Sequence, residues 1–264
     1  MNLRNDPAFL RKIQYKNSNN LAARIRIHKQ FSTNPLDWNV WILERVQKIN
    51  AQRILEVGAG HASMWRENNS LNHNNEHIFL NDFSYGMIKS ASKAGLPAQS
   101  FRFIVSDIQA LPYLRTQFDL AIANHMLYHV PDLSLAFSEV KRVLVQGGTL
   151  MAATNGIDHM KELNELVERI APNLMKTLNV TRNFNLENGK EFLREFFTDI
   201  QLEIFHDSLE INEVQPLLDY ILSLWGNFIT IEQVKLFNDE IQNIINKDGS
   251  IHIQKHTGLF VCRK

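Results

Sequence analysis

The chain has 264 residues, 44% of them hydrophobic, and its 28 Lys plus Arg are matched by 28 Asp plus Glu. That length suits one large α/β domain with insertions, and the even charge leaves no positive field to hold a nucleic-acid backbone or an anionic bilayer. The only cysteine, Cys262, excludes an internal disulfide, and MNLRNDPAFLRK carries charges where a signal peptide has its apolar stretch, so a reducing, cytoplasmic location without membrane insertion is expected.

In chain order, the apolar spacing from Leu3 to Gln47 predicts helices interrupted at Asn34 and Pro35, so residues 1–50 read as an N-terminal helical arm. Residues 51–264 read as the main domain. RILEVGAG is a short apolar run ending in glycines, strand then turn, and His61 to about Asn68 follows as a helix. HIFLNDFS gives a second strand, YGMIKSASKAG a helix stopped at Gly95, and FRFIVSD a third strand. FDLAIANH, LSLAFSEVKRVL and TLMAATNG then read as strand, helix and strand, with Gln146, Gly147 and Gly148 closing the helix. Beyond Gly156, helices are expected over His159 to Met175 and Glu187 to Phe197, a strand at IQLEIFH, a helical stretch from Val214 to Asn246, and a last strand in SIHIQKHTGLFVC. The alternation predicts a Rossmann-like, doubly wound α/β sheet, mostly parallel with an antiparallel edge strand, carrying helical cap insertions near 157–190 and 214–246.

Chemistry concentrates at the strand ends. Gly58 and Gly60 sit where strand one turns into a helix, so backbone N–H groups can approach a ligand without side-chain obstruction. A glycine pair also serves a purely structural turn. Asp82, closing strand two, is placed to accept both hydroxyls of a ribose, and Asp107, closing strand three, suits the exocyclic amine of an adenine. A dinucleotide fingerprint wants a further glycine where Ser63 stands, and Glu56 before the turn offers a pyrophosphate nothing. Glu56 suits instead a cofactor with an amino-acid ammonium and a sulfonium, which favours S-adenosylmethionine over NAD.

ILEVGAGHA, LNDFSYGM, SDIQALP, FDLAIANHMLYHV and VLVQGGTLMAATNG, in that order between Arg53 and Gly156, resemble successive motifs of class I S-adenosylmethionine-dependent methyltransferases of the bacterial small-molecule kind. The resemblance implies that Gly58 and Gly60 cradle the methionine moiety, Asp82 holds the ribose, Phe83 or Met87 packs near the adenine, Asp107 with the Ile108 amide reads it, and Asn124 lies beside the methionine part. Ala62 departs from the pattern, since many members carry a third glycine there.

Residues closing strand four stand nearest the transferred methyl in such a sheet. His125 and His129 are therefore the candidate general bases, a neutral imidazole being suited to taking a proton from an attacking oxygen or nitrogen. Alternatively, both rings cap the turn. Metal ligation is not expected, because Met126 stands where an HExxH site has glutamate. Tyr15, Arg24 and His28 in the arm are candidates for a lid over the crevice, and His159 for a substrate contact. Trp38, Trp41 and Trp65 are expected in the core. Arm and insertions together should form an apolar pocket over the end of strand four. The expected partner is a small-molecule substrate. A non-catalytic nucleoside-binding protein of the same fold and an RNA methyltransferase are the alternatives. Nothing in the pattern sets an oligomeric state.

Overall fold

The computed structural model describes residues 19–66, 77–177 and 183–264. Strands β1 (Arg53–Val57), β2 (His77–Asp82), β3 (Phe101–Val105), β4 (Phe118–Asn124) and β5 (Leu144–Asn155) are joined through short helices α3 (Ser63–Arg66), α4 (Tyr85–Ala91) and α5 (Leu133–Val143). With β6 (Thr198–Ile211) and β7 (Ile251–Arg263) they form one seven-stranded sheet of order β3-β2-β1-β4-β5-β7-β6. Neighbours from β3 to β5 pair parallel, whereas β7 runs antiparallel to both β5 and β6. The antiparallel pairing thus lies at the β6 edge, with β7 one position inside it.

The central strands read as apolar runs because both faces are covered. One face packs Leu55, Phe137 and Phe260 into a common core, and the other packs Ile54, Trp65 and Leu259 with Trp41 of α2 (Trp38–Ile49). A third core lies beyond the sheet. There the far ends of β6 and β7, through Leu209, Ile211 and Ile253, meet α1 (Asn19–Phe31), α6 (Lys161–Ile170), α9 (Val214–Trp225) and α10 (Ile231–Asp248). The long β6–β7 hairpin therefore belongs to the sheet at one end and founds a helical cap at the other.

Several expectations differ in detail. The helix expected from His159 to Met175 is two, α6 and α7 (Pro172–Thr177), broken at Ala171. Pro172 has no N–H to continue the ladder and disfavours helical backbone in the residue before it. The stretch from Val214 to Asn246 is likewise two helices, because Thr230 starts α10 with a reciprocal capping box to Gln233. Residues 146–148 do more than stop a helix: β5 already begins at Leu144, and its register against β4 shifts between Phe118 and Leu120. The segment from 187 to 197 holds only the short α8 (Gly189–Leu193). No helix among the described residues is long and apolar enough to cross a membrane.

Candidate active site

The strand order reverses between β1 and β4, and a cavity of about 780 Å³ opens at the carboxyl ends of those strands. Its first wall is the β1 turn. Gly58 and Gly60 have φ of 70° and 56°, values that cost a side chain strain, and a Cβ on Gly58 would stand 2.6 Å from Met126 Cγ. Ala62 also adopts a positive φ, 61°. The third-glycine position of the resemblance is thus a left-handed position here, occupied by a residue that pays roughly 1 kcal/mol for it.

Three acids face this end. Glu56 is buried and accepts a hydrogen bond from Trp65 Nε1 at 2.5 Å. Burial pushes its carboxyl up to about 7, with Asp82 adding to the rise and the Trp65 bond opposing it. Asp82 receives the amides of Gly60 (3.0 Å) and Ser84 (2.8 Å), so one carboxylate ties the β1 turn to the end of β2. Burial raises it to about 6 against those two bonds. Asp107 is exposed and caps the short turn Ile108–Ala110 by accepting the Gln109 amide at 2.9 Å. Phe83, Met87 and Ile108 line the cavity beside them.

At the end of β4, Asn124 accepts Trp38 Nε1 at 3.1 Å, and the Trp38 ring stacks on Trp41 and lies 5.0 Å from His125. Trp38 was expected in the core, yet it is half-buried and lines the cavity. Its helical spacing to Trp41 gave no warning, because the N-terminal residue of a helix abutting a crevice can serve both. Trp65, by contrast, is fully buried. His125 holds a left-handed φ of 55°. Burial, helped by Lys255, lowers its pKa to about 4, so it is neutral near physiological pH and a weak base. His129 lies in the turn Leu127–His129, packs edge-on against Tyr128, and lines the same cavity.

The opposite wall comes from the cap. Arg24 and His28 of α1, Tyr220 of α9, His159 after β5, and Lys255 and Thr257 of β7 all line it. The pocket was expected to be apolar, but this wall is polar, because β7 carries Lys255 and Thr257 across the cap base. Residues 231–248 do not line it. Burial, with Lys255 and His125 adding, lowers His28 to about 3, and its Nδ1 is buried with no hydrogen-bond partner among the described residues. An orphaned buried group of this kind costs about 1–3 kcal/mol. His159 Nδ1 accepts the His256 amide at 3.2 Å, placing the proton of the neutral ring on Nε2. Burial, then the neighbouring His28, His125, Lys255 and His256, holds its pKa well below the usual imidazole value.

The arm's described part is firmly held. Thr33 N donates to Ser208 O at 2.9 Å, and Asn34 N to Asp207 Oδ1 at 3.0 Å. Arg24 Nη2 donates to Ser223 O at 2.7 Å. Tyr15 lies outside the described residues. Among the described residues no three His, Cys, Asp or Glu side chains are grouped to hold a metal ion.

Residues 55–152 match the family described as methyltransferase domain. A malonyl-[acyl-carrier protein] O-methyltransferase of Legionella pneumophila is 32% identical over 124 residues, which cover 46% of this chain and 43% of that protein. The match thus spans less than half the length of that curated relative. Among solved structures, phosphoethanolamine N-methyltransferase 2 of Haemonchus contortus in complex with S-adenosyl-L-methionine superposes with a TM-score of 0.60 at 18% identity, over all of this chain and 60% of that one. A methyltransferase of an antibiotic biosynthesis pathway from Anabaena variabilis, so described as putative, gives 0.61 at 14% identity over 84% of this chain and 96% of that one. These likenesses of low identity establish the fold. Residues 55–152 are a methyltransferase domain of the class I, S-adenosylmethionine-dependent kind.

Proposed function

We propose that the chain transfers the methyl group of S-adenosylmethionine to a small-molecule acceptor held between the end of β4 and the cap. The observation that carries this reading is convergence: Glu56, Gly58, Gly60, Asp82, Phe83, Met87, Asp107, Ile108 and Asn124, drawn from four strand ends, line one cavity. The residues fit the cofactor chemically. A carboxyl raised to about 7 gains by ionising beside an ammonium, which suits Glu56 to the methionine end. Asp82 accepts the ribose hydroxyls while its amide bonds keep the turn in place, and Asp107 with the Ile108 amide takes the adenine edge. The cofactor supplies an activated methyl on sulfur, so this chain's part is to orient the acceptor and exclude water.

Any proton released by the acceptor goes to His125, which burial keeps neutral, or, failing that, to His129 in the turn that follows β4. With a pKa of about 4, His125 serves best where the acceptor proton is already acidic or leaves late. The likeness to a malonyl-[acyl-carrier protein] O-methyltransferase makes a carrier-bound malonyl group one acceptor to include in any panel. Incubation with radiolabelled S-adenosylmethionine and small-molecule extracts, followed by separation of labelled products, tests the proposal. Label in a small molecule, dependent on Asp82 and absent from RNA, is expected. Label in RNA alone, or no turnover despite cofactor binding, contradicts it.

A further inference from the structure

The cavity is polarised. Its first end gathers the carboxylates of Glu56, Asp82 and Asp107, and the fourth lining acid, Asp37, is occupied in capping α2. The cap wall carries Lys255 and the imidazoles of His28 and His159, with Arg24 beside them, and the imidazole of His125 joins them from the end of β4. Asp207 sits behind Lys255 and does not line the cavity. Burial opposes its ionisation, but hydrogen bonds from Lys255, Ser32 Oγ and the Asn34 amide outweigh that and hold it below the ordinary carboxylate range.

Lys255 is a buried ammonium, its side chain 8% exposed, and Asp207 is its one hydrogen-bond acceptor among the described residues. Two of its three protons are left over. His28 Nδ1 is likewise buried without a partner. The Nε2 proton of His159 has no acceptor among the described residues, while its Nδ1 is occupied by the His256 amide. Three side chains from three separate elements, α1, the β5 exit and β7, thus bring unused hydrogen-bonding capacity to one wall. One buried imidazole nitrogen without a partner, beside a buried ammonium with donors to spare and a cavity-lining imidazole, fits a ligand that completes them.

We propose that this wall is an acceptor subsite for an oxyanion, specifically a carboxylate, bound through Lys255, His159 and His28. The inference rests on the methyl-transfer reading only in calling the ligand an acceptor. A monoanion is the better match than a phosphate dianion, because Asp207 already offsets the charge of Lys255, the three imidazoles are neutral, and Arg24 beside them directs donors to Ser223. Ile25, Val40, Met126 and Tyr220, lining the same space, leave room for a short apolar tail behind the carboxylate.

The test is calorimetric titration of hexanoate, hexanamide and hexyl phosphate into the full chain saturated with S-adenosylhomocysteine. Hexanoate is expected to bind at least about tenfold more tightly than hexanamide and more tightly than hexyl phosphate. That preference should vanish in the double variant Lys255→Met, Asp207→Asn, which removes both charges so that no lone buried carboxylate is left. Equal binding of hexanoate and hexanamide, no binding of hexanoate, tighter binding of hexyl phosphate, or a preference that survives in a folded double variant would each overturn the proposal. The wild-type comparison stands without any variant. If S-adenosylhomocysteine itself fails to bind, the cofactor reading falls separately, and the same titrations into the free protein still decide the carboxylate subsite.

Discussion

At the scale of single residues, the site is governed by what burial does to ionisable groups. Glu56, raised to about 7, is partly protonated near neutrality in the free protein, and a cofactor ammonium favours its ionised form. Binding of S-adenosylhomocysteine should therefore release protons and strengthen as pH rises through about 7. Calorimetry in two buffers of different ionisation heat checks the release; identical heats, with affinity unchanged between about pH 6 and about pH 8, would contradict it. His125 moves the opposite way. Its basic form is already present above about 4, so the acid limb of kcat/KM should fall near that value. A limb near about 6.5 would point to an imidazole of ordinary exposure. The place of the three acids and both histidines on the cavity was legible in the sequence because they lie at strand ends or in the turns that follow them. Trp38, Lys255 and Thr257 were not, because nothing local in the sequence says which residues of a helix start or a distant strand come to rest against a crevice built from β1 to β4.

At the scale of elements, the alternation of strands and helices up to Gly156 was readable because each strand is a compact apolar run and each turn has a glycine or a capping Asp or Ser. Later boundaries were harder. The break at Pro172 and the Thr230–Gln233 capping box are both sequence signals, overrun by an apolar periodicity that continues across them. The length of β6 was underread because Asp207 and Glu210 interrupt its apolar pattern, and their partners Lys255 and His252 come beside them only once β7 is alongside. The β1 turn supports a stability prediction. Since Ala62 sits at φ 61°, Ala62→Gly should stabilise the protein by up to about 1 kcal/mol, relief of strain exceeding the added entropy of the unfolded chain. Urea unfolding measures this, and a loss of about 1 kcal/mol would mean that the turn is relaxed with alanine.

At the scale of the whole molecule, the methyltransferase sheet and the cap are joined through the β6–β7 hairpin, whose inner half lies in the sheet and whose outer half carries the third core. The arm was read from sequence as a lid. Its residues 19–34 adjoin β6 and α9 through Thr33, Asn34 and Arg24, and we propose on those bonds that this part is a fixed wall. Amides of Thr33 and Asn34 should accordingly show equal hydrogen-exchange protection with and without S-adenosylhomocysteine; protection gained only on binding would restore the lid. The central claim is that this cavity is the cofactor site, with Asp82 at its ribose. The most direct measurement is calorimetric titration of S-adenosylhomocysteine into the wild type and Asp82→Ala. Saturable binding at one site is expected, weakened by at least about 1.5 kcal/mol, or roughly tenfold, in the variant. No binding to the wild type, or unchanged affinity in a variant whose circular dichroism shows an intact fold, would contradict the account.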